Sequence, residues 1–180
     1  MGTHDRNEGP GARPLAAITA AWLLSLGFDL FLHAGLLARL YSRPSAFLLP
    51  AGDAFRRIPL GYGAFFILTW ALFWLFRRLD VASARRGARL GFVAGLVLWG
   101  AWCLGLYSIS VAEPDLLLGW WLGQAAELGL AGAVLGAAGS GMKTGKLFGR
   151  VAAALLLFVI GAVVLQNVGW APPTTTAGGV

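Results

Sequence analysis

The stretch PLAAITAAWLLSLGFDLFLHAGLLA, residues 14–38, decides the class of fold. As a helix rising about 1.5 Å per residue, a run of this length crosses the roughly 30 Å hydrocarbon core of a bilayer. It carries no clear small-residue cleavage site, so it reads as a retained helix and not a signal peptide. Two residues do not belong in such a run, Asp29 and His33. A charge at bilayer depth costs at least ~2.5–3.5 kcal/mol, so it faces a bundle interior and has a partner there. At i and i+4 the two share one helix face, which Ser25 and Trp22 extend toward the amino end.

Composition agrees. The chain is 58% hydrophobic and only 12% charged, where an ordinary soluble domain is about 25% charged. Its mean hydropathy is +0.72. One soluble core of 180 residues cannot hide that much apolar surface, so lipid is the solvent for most of it. The net charge of +6 does not indicate nucleic acid, because the arginines cluster in short segments between apolar runs, as in topology-setting loops. One cysteine, Cys103, excludes an intrachain disulfide. Twelve arginines to two lysines, with abundant Ala, Gly and Leu, is the usage of a GC-rich bacterial source.

Four more apolar runs follow the first, so the expected helices cover about 14–38, 59–76, 88–111, 114–138 and 147–168. Pro59 and Pro114 suit first turns, and Asp115 suits the positive end of a helix. Residues 1–13 read as a disordered polar segment and 169–180 as a flexible tail, leaving 14–168 as the transmembrane domain. The stretch 42–58 holds Pro44, Pro50 and Gly52 and reads as an interfacial loop or short amphipathic helix. The fold expected is all-α: a polytopic transmembrane bundle with a four-helix core and a peripheral fifth helix, which lacks ionisable groups beyond Arg150.

Counted by loop, ten basic residues lie on the side of the amino terminus and four on the other. That asymmetry places the amino terminus in the cytoplasm and the carboxyl terminus outside, in a bacterial inner membrane.

A second polar pair, Gln124 and Glu127, lies i and i+3 on the fourth run. Counting helical rise from Arg39 and Asp115 puts Asp29 and His33 roughly 15 and 9 Å below the outer boundary, and Gln124 and Glu127 roughly 13 and 18 Å. The pairs share a layer, so Asp29, His33, Gln124 and Glu127 are expected to converge as candidate substrate- or ion-binding residues. Three readings stay open. The cluster can be structural, fixing helix register through interhelical hydrogen bonds. It can relay protons or bind a small solute or cation, with an imidazole that titrates near neutrality. It can hold a metal through Asp29, His33 and Glu127, one nitrogen and two oxygens that suit only an open site.

Gly87, Gly91 and Gly95 form a small-residue ridge, as do Gly119/Gly123 and Gly132/Gly136. They permit close helix contact within the chain or between copies, so a homo-oligomer through these faces is one expectation beside the lipid bilayer as partner. Trp120, Trp121 and Trp170 read as an interfacial belt, while Trp70, Trp74, Trp99 and Trp102 lie deeper, where they could line a pocket. No Walker loop, Gly-x-Ser-x-Gly elbow, His-Glu-x-x-His or Cys-x-x-Cys occurs, so no enzyme signature and no cofactor is called for.

Over residues 24–138 the chain resembles small uncharacterised bacterial four-helix membrane proteins. The likeness rests on Gly27-Phe28-Asp29-Leu30-Phe31-Leu32-His33-Ala34-Gly35, followed by Tyr41. It continues in the glycines from Gly87, in Tyr107, and in Gly119-Trp120-Trp121 leading to Glu127-Leu128-Gly129-Leu130-Ala131-Gly132. Ala34 departs from the His-Gly pair of that segment. The resemblance implies a four-helix core and no particular activity.

Overall fold

The computed structural model describes residues 13–171. The segments 1–12 and 172–180, where most of the expected disordered and flexible ends fall, lie outside the described residues. The fold is all-α: α1 (Pro14–Phe31), a π-helical turn (Leu32–Leu36), α2 (Ala38–Tyr41), α3 (Ala51–Arg78), α4 (Ala84–Ile109), α5 (Pro114–Gly139) and α6 (Thr144–Asn167).

Four of these segments are long and apolar enough to cross a membrane, namely Pro14–Leu36, Gly52–Arg78, Ala84–Ile109 and Thr144–Asn167. α5 is as long as α4, but Gln124, Glu127 and six glycines keep it outside that set. It is also the helix most fully enclosed by the others. Large side chains such as Ile67, Trp70, Val97, Leu104 and Leu157 are more than half exposed. An outward apolar surface of that extent on a water-facing protein would be an aggregation site; on this one it contacts lipid.

Backbone approach fixes how the helices run. A Cβ placed on Gly87 would sit 2.1 Å from the Gly132 carbonyl oxygen, one on Gly91 2.2 Å from that of Leu128, and one on Gly95 2.6 Å from Ala125 Cα. α4 and α5 are therefore antiparallel with their main chains in contact. The glycine ridges are consumed inside the chain, which takes those faces away from an interface between copies. Gly119 and Gly123 receive Leu37 and Leu32, so α1 is also antiparallel to α5. α6 lies parallel to α1, with Leu155 against Gly27 and Ala162 against Gly35. α3 meets α1 at Trp22, whose Nε1 donates to the Tyr62 carbonyl at 2.9 Å. α6 and α3 are peripheral, each with most of its surface outward.

These directions put Arg13, the end of α3, the start of α4, the end of α5 and the start of α6 at one end of the bundle. Arg77, Arg78, Arg85, Arg86, Arg89, Lys143, Lys146 and Arg150 gather there, while Arg39, Arg43, Arg56 and Arg57 lie at the other end. The described chain starts at the basic end and finishes at the opposite one.

Two boundaries differ from the sequence expectation for physical reasons. α3 begins at Ala51 and runs through Pro59. The proline removes one donor and leaves the carbonyl four residues earlier, at Phe55, without its helical partner. Phe55 is 74% exposed, on a part of the helix packed against nothing, so the loss is tolerated. α3 ends in a Schellman turn: Asp80 takes φ 48° and Val81 N–H returns to the Phe76 carbonyl at 3.0 Å. An aspartate stands where glycine is usual.

Gly87→Ala or Gly132→Ala forces backbones apart and is expected to cost about 1–3 kcal/mol in reversible unfolding in bicelles. Gly61→Ala, where a Cβ meets nothing within 4 Å, is expected to be neutral or to gain up to about 1 kcal/mol. Equal effects at the two kinds of site would contradict the backbone contact.

Candidate functional site

α1 stops being an α-helix at Phe31, about two turns before its apolar run ends. Leu37 N–H bonds to the Leu32 carbonyl at 2.8 Å, an i→i+5 bond, and Leu40 N–H turns to Leu37 instead of Leu36. Insertions of this kind recur at functional sites because they re-aim side chains. Here the residue re-aimed is Tyr41, beyond the π turn, which is brought onto His33 inside it.

His33 Nε2 stands 3.1 Å from Asp29 Oδ1, and the side chains are 29% and 18% exposed. Its other nitrogen, Nδ1, lies 2.5 Å from the Tyr41 hydroxyl. That hydroxyl also accepts from Trp120 Nε1 on α5. An indole N–H can only donate, so the hydroxyl hydrogen is directed to His33 Nδ1, and His33 Nε2–H donates to Asp29. Every donor in this chain has an acceptor, with the imidazole held as one tautomer.

Glu127 on α5 is 2% exposed. The polar groups around its carboxyl are Ser25 and Asp29 from α1 and Gln124 from its own helix. Its Oε2 has no partner. A buried, unpartnered carboxyl oxygen beside a second carboxylate is costly unless it binds something. The structure thus brings Asp29, His33, Gln124 and Glu127 into one seam between α1 and α5.

The seam is closed at the basic end. Ala17, Ala20, Ala21 and Leu24 of α1 pack with Leu128, Ala131 and Leu135 of α5 in one apolar core. Toward the other end lie His33, Tyr41 and Trp120, with Phe47 over Trp120 at 6.0 Å between ring centres. Beside them Arg43, Ser45, Glu113 and Asp115 line a cavity of about 130 Å³, and Arg43 bonds to Asp115 at 2.5 Å.

Asp29, His33 and Glu127 do not form a ligand set for a metal. Among the described residues no group of three His, Cys, Asp or Glu is placed to hold one, and both His33 nitrogens are already engaged. Of the four deeper tryptophans, Trp70, Trp74 and Trp102 face outward and Trp99 packs against the apolar core. Cys103 Sγ bonds to the Leu117 carbonyl at 3.4 Å. The sequence places Trp120 both on the Gln124–Glu127 stripe and in the interfacial belt, and it gives no sign of Tyr41 as the partner of His33. Eight positions apart on a straight helix, Tyr41 and His33 would be about 12 Å apart along the axis; only the π turn and the break at Leu37 close that distance. Thr69, 1% exposed on α3, was also unmarked, and nothing in its neighbours Leu68, Trp70 and Leu72 signals it.

Compared with known proteins, the chain matches no family model, no curated protein and no solved structure. What holds of the resemblance is its architecture, four long apolar helices in a small membrane bundle.

Burial pushes the Tyr41 phenol above its ordinary value of 10.0; the Trp120 N–H pulls it partly back and the Asp29 charge adds to the rise. Above pH about 10 the unfolded chain ionises Tyr41 while the folded one does not. The stability this provides is complete below that pH and falls as pH rises further. The unfolding midpoint in detergent is expected to drop between pH 10 and 12, and to drop less in Tyr41→Phe. Parallel curves would contradict the assignment.

Proposed function

We propose that this integral membrane protein binds protons in the α1–α5 seam, in a well that opens toward the end opposite the basic loops. The observation that carries the reading is Glu127, whose buried carboxyl has an unpartnered oxygen beside Asp29, itself bonded to a His33 that is still partly exposed. A proton arriving from the open end is taken by the Asp29 carboxylate, which His33 Nε2–H holds in place, and passes from there to Glu127; both His33 nitrogens are engaged, so His33 positions Asp29 and carries no proton itself. Trp120 cannot pass a proton, so Tyr41 and Trp120 orient the imidazole and do not extend the path. The apolar closure beyond Leu24 and Leu128 supports a site loaded from one side, the arrangement expected of a proton-driven carrier of a small solute in one of its two states. The basic loops support a cytoplasmic amino terminus and a bacterial inner membrane, with the well facing outward.

In proteoliposomes, a pH jump is expected to give about one proton bound per chain. Glu127→Gln should abolish that uptake and Asp29→Asn should slow it at least about tenfold, a barrier increase of roughly 1.4 kcal/mol. Both variants should keep their helical content. If they only lower stability and leave uptake unchanged, the layer is a packing device, of the kind whose interhelical bonds average ~0.6 kcal/mol each.

Orientation has its own check. In a Cys103→Ser background, a cysteine at Ser110 should react with an impermeant thiol reagent added outside the cell and one at Ser140 should not. The reverse pattern would place the well toward the cytoplasm.

A further inference from the structure

The carboxyl end of α6 grips the π turn. Trp170 Nε1 donates to the Leu36 carbonyl at 3.2 Å and Gln166 Nε2 to the Ala34 carbonyl at 3.4 Å. Arg39, on the same short helix as Tyr41, returns the contact. Its Nε donates to the Trp170 carbonyl at 2.6 Å, its Nη2 to that of Gly169 at 3.1 Å, and its guanidinium lies 4.3 Å over the Trp170 ring. Gly169 at φ 72° closes the turn that presents both carbonyls, with Trp170 N–H bonded back to Leu165 at 3.0 Å.

These contacts fall where α1 is broken. In a continuous α-helix the Leu36 carbonyl would accept from Leu40 N–H, which here goes to Leu37. Leu36 lies only three residues, about 4.5 Å of helical rise, from Arg39 at the boundary, and its carbonyl still takes a protein donor in place of the helical one. The Trp170 indole supplies it, so the π turn and the α6 contact support each other. If α6 lets go, the internal remedy is to restore the i→i+4 bond and remove the extra residue from the turn. Everything beyond it would then rotate by about 100°, one residue's share of a 3.6-residue turn. Tyr41 would leave His33, whose Nδ1 would lose its donor.

We propose that the α6 end, through Trp170, Gln166 and Arg39, is a latch that regulates the proton well by holding His33 in its present tautomer and register. This rests on the proton-binding reading above. Trp170, Gln166 and Arg39 act as positioning residues. His33 is bonded to Asp29 of α1 and Tyr41 of α2, with Glu127 of α5 beyond Asp29; the α6 side chain bonded to the π turn at Ala34 is the neutral Gln166. The latch therefore works through geometry and not through a charge placed beside the imidazole.

The test is nitrogen-15 NMR of labelled histidine in the full chain in lipid bilayers, with His4→Gln so that His33 alone reports. The latched chain is expected to show one tautomer, with hydrogen on Nε2. Trp170→Phe removes the indole N–H and keeps a ring under Arg39; Arg39→Gln removes the charge. Each should give a mixture of tautomers and change the proton-uptake rate at least about tenfold, while Arg39→Lys keeps most of the single-tautomer signal. Should Arg39→Gln fail to fold, Trp170→Phe decides alone. Folded variants in which the α6 end loosens while His33 keeps its single tautomer would overturn the latch. A tautomer that responds in a chain taking up no proton would retain the latch and sink the proton-binding reading.

Discussion

Within a bilayer a backbone carbonyl or amide has no water to turn to, and each departure from the α-helix must be repaired by the protein itself. Most of this chain never departs. Apart from the Phe55 carbonyl that Pro59 frees on the exposed start of α3, the five long helices keep their own bonds, and α4 and α5 approach until a Cβ on Gly87 would lie 2.1 Å from the Gly132 carbonyl oxygen. The departure at Leu32–Leu37 is the one that distant side chains repair. Around it collect the Trp170 indole, the Gln166 amide, Arg39 and the Tyr41 hydroxyl. The orientation of His33 depends on that same break, because it is what brings a phenol eight residues away onto the imidazole.

The membrane class and the number of long helices were legible because each rests on bulk properties, run length and hydropathy, that later packing does not alter. The four polar residues were legible for a related reason. Asp29, His33, Gln124 and Glu127 each contradict the apolar run around them, and matched depth in antiparallel helices gave them a common layer. The start of α3 was not legible, because Pro44, Pro50, Gly52 and Pro59 look like breakers. Pro59 breaks nothing on a helix with no neighbour there.

The π turn was hidden for a different reason. His33, Ala34 and Gly35 carry no sequence mark of an i→i+5 bond, and straight-helix geometry put Tyr41 out of reach of His33. The partners that stabilise the break lie more than 120 residues further on, in Gln166 and Trp170. Trp170 looked like an ordinary interfacial aromatic. Its ring does lie at the end of the bundle, and its N–H reaches inward to Leu36. One residue serves both readings, and only the second touches the site.

The glycine contact also decides which part of the molecule can move. α4 and α5 touch through main chain over several turns, a contact that cannot slide without collision, so they act as one slab. α1 meets that slab through Leu32 and Leu37 seated over Gly123 and Gly119, flexible side chains against small residues. It meets α6 in a similar way, through Phe28 and Phe31 packed on Phe158 at 5.4 and 5.8 Å between ring centres. Asp29 and His33 belong to the α1 side, while Gln124, Glu127 and Trp120 belong to the slab. The seam between the two bodies is thus also the line along which Asp29, His33, Gln124 and Glu127 meet. An α1–α6 pair shifting on a rigid α4–α5 slab would change access to Glu127 without disturbing the glycine contact.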